Sequence, residues 1–276
     1  MRADLHIHTT YSDGTKSPEE IVSLAKSVGL AAIAITDHDT LEGVEPAIEA
    51  GRRQNLEVIP GIELSAECKS GEIHILGYLI DLKQQEFLDK LSLFRQSRID
   101  RMKKMIKKLR ELGLEVQFNR VLEISGYGSL GRPHLAAALL ETGAIKSTQE
   151  AFDRYIGEGK EAYVPRYKLN PDGAIKLIRD AGGVPVLAHP GMIESTPTPE
   201  ELIVSGLAGL EAYHPAHSRE LSAYYVRLAR AKGLIITGGS DYHGPGHPGR
   251  YGLGSFTVPR GVLSDLKKAC FLKKGT

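Results

Sequence analysis

"DLHIHTTYSDGTKSPEEIVSLAKSVGLAAIAITDHDT", residues 4–40, reads as a strand, a turn, a helix and a second strand. Alternation along the first strand sends His6 and His8 to one face and Leu5 and Ile7 to the other. Ser17 stands as N-cap, Pro18 takes the first helical position, Glu20 closes a capping box, and Gly29 stops the helix before the apolar run 31–36. A strand, a covering helix and another apolar strand in that order predict a parallel sheet clothed by helices.

The same grammar continues outward. Strands are predicted over 3–8, 31–36, 56–63, 72–79, 184–188, 208–213 and 234–239, and helix starts recur in "NPDGAIKLIRDAGG" and "TPEELIVSG". Seven such strands favour a barrel of (β/α) units over an open sheet. Residues 81–183 carry no strand pattern. Within them, "QQEFLDKLSLFRQSRIDRMKKMIKKLRELG" spaces Ile99, Met102, Met105, Ile106, Leu109 and Leu112 as one helix face, and shorter helices are expected over 132–141 and 147–156. The expected organisation is a barrel made of 1–80 and 184–276, with a helical insertion over 81–183. The basic residues of 98–110 have no interleaved aromatics, so they read as the solvated face of that helix rather than a nucleic-acid patch.

Composition narrows the classes. The chain has 276 residues, 41% hydrophobic and 25% charged, with a net charge of +1, which gives no global argument for nucleic acid or membrane surfaces. Cys68 and Cys270 lie far apart without C-x-x-C spacing, pointing to a reducing compartment. No apolar run approaches the ~18 residues that span a bilayer, and no leader pattern opens the chain, so a cytoplasmic protein is expected.

Candidate ligands fall at one end of the predicted strands. His6, His8 and Asp13 follow strand 1; Asp37, His38 and Asp39 end strand 2; Glu63 ends strand 3; His74 lies on strand 4; His189 and His214 end strands 5 and 6; Asp241 and His243 follow strand 7. A lone histidine at a strand end is ordinarily a packed or solvated residue, and Asp39 reads as a helix N-cap. Chance does not gather metal-type side chains at the same end of seven strands, the end where barrels build their sites. Imidazoles and carboxylates without thiolate suit Zn²⁺, Mn²⁺ or Fe²⁺. Glu63 is the candidate bridging carboxylate. A cation-rich pocket of this kind suits hydrolysis of a phosphoester. Asp37 is expected to orient a ligand, and His214 to act as general acid, to orient substrate, or equally to support a ligand from behind.

"HIHTTYSDG", "ITDHDT", "GIELS" followed by His74, "LAHP" and "SDYH" together resemble the PHP (polymerase and histidinol phosphatase) family, with motifs in order from residue 4 to 243. The resemblance implies a distorted (β/α)7 barrel holding two or three divalent ions. One would be held by His6, His8, Glu63 and Asp241, a second by Glu63, His74 and His189, a third by Asp13, His38 and His243. A water or hydroxide bridging the ions would be the nucleophile. "TDHDTLEG", the insertion and "GRPHLA" look like the small nucleotide- and RNA-acting branch, which implies hydrolysis of a nucleoside 3′,5′-bisphosphate or trimming of an RNA 5′ end. Likeness to histidinol-phosphate phosphatases is weaker.

"SLGRPHLAAALLETG" agrees with that placement on physical grounds. Pro133 opens a helix, leaving free backbone N–H groups and a positive dipole end beside Arg132 and His134. Arg132 offers a bidentate grip on phosphate. The same residues also make an ordinary helix start with an exposed arginine and a capping histidine. Lys168 and His217 are weaker candidates for the same phosphate pocket. An amidohydrolase would also use an H-x-H strand, but commonly needs a carboxylated lysine that these strand ends lack. A non-catalytic metal-bound scaffold binding nucleic acid predicts broken ligand sets, and this set is complete. The expected partner is a small phosphorylated nucleotide or RNA 5′ end, with no membrane and no obligate protein partner.

Overall fold

The computed structural model describes residues 1–68, 71–126, 130–165, 169–193, 197–245 and 251–271. The chain divides into two compact units, Met1–Leu88 with Lys168–Thr276, and Asp89–Tyr167. The first unit is an eight-stranded mixed sheet, nearly closed into a distorted barrel. Its strands are β1 (Arg2–Asp4), β2 (Ala32–Ile35), β3 (Glu57–Cys68), β4 (Gly71–Tyr78), β5 (Val184–Leu187), β6 (Gly209–Tyr213), β7 (Ile235–Gly238) and β8 (Val258–Pro259), in the spatial order β7-β6-β5-β4-β3-β2-β1-β8.

Closure is made beyond the regular strands. Residues 5–8 continue β1 in extended form between two neighbours. Leu5 N–H donates to the Gly238 carbonyl and His8 N–H to the Tyr242 carbonyl, while Thr36 N–H donates to Ile7. An isolated bridge pairs Ile7 with Tyr242. Leu5, Ala34, Leu76, Tyr78 and Val186 are among the residues filling the barrel. The Tyr78 hydroxyl, deep inside, donates to the Leu5 carbonyl at 2.9 Å.

Two features depart from the uniform βα expectation. β4 runs antiparallel to both β3 and β5, and β8, absent from the sequence reading, pairs antiparallel with β1. A parallel crossover needs a dozen or more residues. Only eight, 64–71, separate the predicted third and fourth strands, so a hairpin is the geometry that fits.

Helices α1 (Pro18–Ser27), α2 (Val44–Gln54), α7 (Pro171–Asp180), α8 (Pro199–Val204), α9 (Arg219–Lys232) and α10 (Val262–Phe271) belong to the barrel unit. Ser17 with Glu20, and Thr198 with Glu201, form the expected capping boxes, and Asn170 caps α7. Asp39 is a correction. α2 begins at Val44 after Gly43, and Asp39 instead accepts from Ser65 N–H at 3.0 Å, tying the end of β2 to β3.

α3 (Gln85–Glu111) begins in the barrel unit and runs into the second unit, which also holds α4 (Phe118–Ser125), α5 (Arg132–Glu141) and α6 (Thr148–Ala151), the last continuing as a wider turn over Phe152–Ile156. Its core gathers Met102, Met105, Leu109, Val121, Leu135 and Ile156. The boundary differs from the expected 81–183. Residues 168–183 fall in the barrel unit, because α7 turns Ile175 and Ile178, both fully buried, against the sheet.

Candidate metal centre

The extended segment 5–8 turns His6 and His8 inward, both fully buried. Glu63 enters from the middle of β3, and the long β3–β4 hairpin brings His74 opposite. Because β4 runs backwards, its mouth end is its beginning, which is why His74 lies near the start of its strand. His189, Asp241 and His243 follow β5 and β7.

Glu63 organises the cluster. Its Oε1 lies 2.9 Å from His74 Nδ1 and 3.1 Å from His189 Nε2. Its Oε2 lies 3.3 Å from His6 Nε2, 3.2 Å from His8 Nε2 and 3.1 Å from His38 Nδ1. One carboxylate thus faces two sets of imidazoles, one through each oxygen. Asp241 adds its Oδ1 at 3.2 Å from His8 Nε2, and Asp13 lies 3.0 Å from His243 Nε2.

Ligand atoms within 4.8 Å of one another form the groups His6–His8–Asp241, His38–Glu63–His74 and His8–Asp13–His38–His243. All nine candidate ligand residues therefore gather at the barrel mouth, His189 through its contacts with Glu63 and His74. The partition is less tidy than three separate sets, since His8 and His38 each take part in two of these groups and His6 also joins Glu211 and His214 in a fourth.

The donors fit a divalent cation. His6 Nε2, His8 Nε2, His38 Nδ1 and His214 Nε2 are buried without a well-formed hydrogen bond. Buried polar atoms are rarely left so. Imidazole lone pairs converging with carboxylates satisfy a hard or borderline ion.

The electrostatics are coupled through the same carboxylates. Burial pushes the Glu63 carboxyl up, but His38, His74 and His6 outweigh it and hold it well below the usual carboxylate range. Asp241 is held down in the same way, against its burial, by His6, His214 and His8. Burial also pulls the imidazoles down, which takes His38 to about 4. Carboxylate neighbours overcome it at His8, lifted to about 9 by Asp241 and Glu63, and at His74, lifted to about 10 by Glu63 and Glu72.

Three buried acids serve the surrounding frame. Asp37 accepts from Thr9 N–H (2.7 Å), the Thr9 hydroxyl (2.7 Å) and the Ser12 hydroxyl (2.6 Å), and Ser12 in turn lies 3.3 Å from His8 Nδ1. Asp37 thus acts on His8 and the Asp13 loop rather than on neighbouring His38. Asp4 accepts from Ser240 N–H and hydroxyl and from Gly254 N–H, fixing the backbone that leads into Asp241. Glu211 lies 3.0 Å from His6 Nδ1 and accepts from His189 N–H. The sequence reading missed Asp4 and Glu211. The signal for them is an acid set inside an apolar strand, "RADLHIH" and "GLEAYH".

The candidates outside the metal set divide. His214 is buried with Nε2 3.5 Å from Asp241 Oδ2. His217 is a correction: its Nδ1 lies 3.0 Å from the Ala212 carbonyl and its Nε2 accepts from Gly191 N–H, so both nitrogens hold backbone and neither is left for phosphate. In the second unit, His134 Nδ1 accepts from Gly131 N–H and caps α5. Arg132 lies over the rings of Phe152 and Tyr163, each 5.6 Å from its guanidinium carbon. Lys168 falls outside the described residues.

Known proteins bear out the motif reading. The PHP domain matches residues 4–164. A 3′,5′-nucleoside bisphosphate phosphatase of Chromobacterium violaceum is 30% identical over 90% of this chain and 89% of its own length. The 5′-3′ exoribonuclease Rnm of Escherichia coli is 32% identical over 88% of this chain and 85% of its own. A phosphoribosyl 1,2-cyclic phosphate 1,2-diphosphodiesterase of Eggerthella lenta is 33% identical over 88% and 95%. A crystal structure from Bifidobacterium adolescentis, provisionally described as a metal-dependent phosphoesterase, superposes with a TM-score of 0.81 at 30% identity, covering 96% of this chain and 94% of that one. With its motifs spread along the barrel and relatives aligned over most of their length, the chain belongs to the PHP domain family.

Proposed function

We propose that this metal-dependent phosphoesterase cleaves a phosphate ester of a nucleoside 3′,5′-bisphosphate, using two or three divalent ions (Mn²⁺, Fe²⁺ or Zn²⁺). The observation that carries the reading is Glu63, whose two oxygens face separate sets of buried imidazoles. Such a carboxylate is built to be shared between ions. His6, His8 and Asp241 would hold one ion, His74 and His189 another with Glu63 between them, and Asp13, His38 and His243 a third. Divalent ions bound there supply Lewis acidity and lower the pKa of water.

The chain's own residues account for the rest of the chemistry. Glu63 and Asp241, held well below the usual carboxylate range by the imidazoles around them, supply the carboxylate donors. His214 would hold or deliver a proton to the leaving oxygen, a role supported by its burial beside Asp241. Arg132 is the candidate for the second phosphate. Its guanidinium is planar and always charged, and a bisphosphate carries one anion more than the metal ligands need. The bisphosphate phosphatase from Chromobacterium violaceum supports this substrate class. The Escherichia coli 5′-3′ exoribonuclease supports trimming of an RNA 5′ end as the second reading.

The test is incubation of Mn²⁺-loaded protein with adenosine 3′,5′-bisphosphate, 5′-AMP, a short 5′-phosphorylated RNA and a phosphoribosyl 1,2-cyclic phosphate, with released phosphate, released nucleotides and ring-opened monoester each measured. Preference for the bisphosphate, lost on chelation, is expected. Nucleotide ladders from RNA with little bisphosphate turnover would make it an exoribonuclease, and opening of the cyclic ester alone would move it toward the Eggerthella relative. Arg132→Ala should reduce bisphosphate turnover by roughly 10-fold or more while sparing a simple aryl phosphate, a loss of about 1.4 kcal/mol in transition-state binding. Equal losses on both would remove Arg132 from substrate recognition.

A further inference from the structure

Glu211 lies in the middle of β6, fully buried between Leu210 and Ala212. A carboxylate in such a place needs partners, and its two oxygens take different ones. Oε1 lies 3.0 Å from His6 Nδ1, while Oε2 accepts the backbone N–H of His189 at 2.8 Å. These partners stand on opposite sides of the strand, one on the continuation of β1 and one after β5. His189 has φ 26°, a backbone conformation that side-chain-bearing residues rarely adopt, so an acceptor fixed at its N–H helps to hold it there. His6 turns its other nitrogen, Nε2, toward Glu63 and Asp241 at 3.3 and 3.5 Å, where it is buried without a well-formed hydrogen bond.

We propose that Glu211 is a positioning residue that keeps the His6 proton on Nδ1 and the His189 backbone in its turned conformation, so that both imidazoles offer Nε2 to the same ion-binding centre. This rests on the ion-binding role proposed above for His6 and His189. Glu211 would act from behind the ligands, through them, with both oxygens already occupied by N–H donors. The rival is that Glu211 is itself a ligand, since Glu211, His6 and His214 also offer atoms within 4.8 Å of one another.

Glu211→Gln separates the two. Glutamine presents one oxygen and one amide NH₂. With its oxygen toward His189 N–H, the NH₂ faces His6 Nδ1, which must then accept and move its proton to Nε2, where the ion should bind. Titration of Zn²⁺ and Mn²⁺ against a chromophoric chelator is expected to show affinity at one class of site roughly 10- to 100-fold weaker, with full stoichiometry recovered at saturation. Glu211→Asp, which keeps the charge but withdraws it by one methylene, should show a smaller loss. In zinc-loaded wild-type protein, ¹⁵N spectra of the histidine side chains should show His6 metallated through Nε2 and protonated at Nδ1, a readout that needs no variant to fold. Unchanged affinity in a folded Gln variant would overturn the inference, as would His6 metallated through Nδ1. An ion missing even at saturating metal would make Glu211 a ligand instead. If wild-type protein binds no divalent ion in the same titration, the ion-binding reading fails and the inference falls with it.

Discussion

Glu63 and Gly239 show two ways in which single residues hold the centre. Glu63 is the side chain shared between imidazole sets, so Glu63→Ala should abolish phosphate release and lower the number of ions bound, as read by elemental analysis after dialysis. Near-wild-type activity would sink the site assignment. Gly239 is needed for its lack of bulk. A Cβ placed there would stand 2.4 Å from the Cβ and backbone nitrogen of His6. Gly239→Ala should therefore push His6 out of register, destabilising the fold by roughly 1–3 kcal/mol in urea denaturation and weakening ion binding. An Ala variant as stable as wild type would show that the seam has slack. The nine candidate ligands that gather at the barrel mouth were legible in the sequence because imidazoles and carboxylates recur at its strand ends. Glu211 and Asp4 were not, because a buried acid serving backbone N–H groups looks like an irregularity in an apolar strand.

Among the elements, helix starts were the most legible, since capping is local chemistry that Ser17–Glu20 and Thr198–Glu201 spell out over four residues. Strand direction was less so, because β4 has the same composition whichever way it runs; only the short connection to β3 betrays the hairpin. β8 is two residues long and leaves no periodicity to read. Its neighbour α10 is tied to the barrel by charge. Glu57, at the start of β3, takes Arg260 Nη2 at 2.6 Å and Lys267 Nζ at 2.8 Å. Burial raises the Glu57 carboxyl, but hydrogen bonds from Lys267 and Arg260 prevail and hold it below its ordinary value of 4.5. A depressed carboxyl stabilises the fold above its unfolded pKa and loses that contribution as pH falls through the folded one. Glu57→Gln should cost about 0.5–1 kcal/mol at pH 7. The gap to wild type should close as the pH drops below 4.5 in paired denaturation curves. A gap that persists unchanged at pH 3 would mean that packing, not charge, is what Gln disturbs.

At the scale of the molecule, every candidate metal ligand belongs to the barrel unit, and the second unit is built on its own core. An ion that binds only the folded state stabilises it by mass action, roughly 2.7 kcal/mol at a hundred times its dissociation constant. Chelation should accordingly lower amide protection around Leu5, Ile62 and Val186 while leaving Leu109, Val121 and Leu135 as they were, as measured by hydrogen exchange. Equal losses in both sets would contradict an effect centred on the barrel. The composition anticipated an ordinary folded chain, and no helix among the described residues is long and apolar enough to cross a membrane. The unit boundary was harder to see, since α7 has the same amphipathic pattern whether it covers a sheet or other helices.

The closure of the barrel has a mechanical side. Residues 5–8 meet Tyr242 at the seam, and the side chains flanking that contact are His6, His8, Asp241 and His243. The two halves of the seam are more than two hundred residues apart along the chain. An ion seated between them is a clasp fastened across the two ends of a belt. Backbone hydrogen bonds from Leu5 to Gly238 and from His8 to Tyr242 already hold that seam, so an ion bound there would be a second fastening beside them, and its removal would leave the closure to those bonds alone.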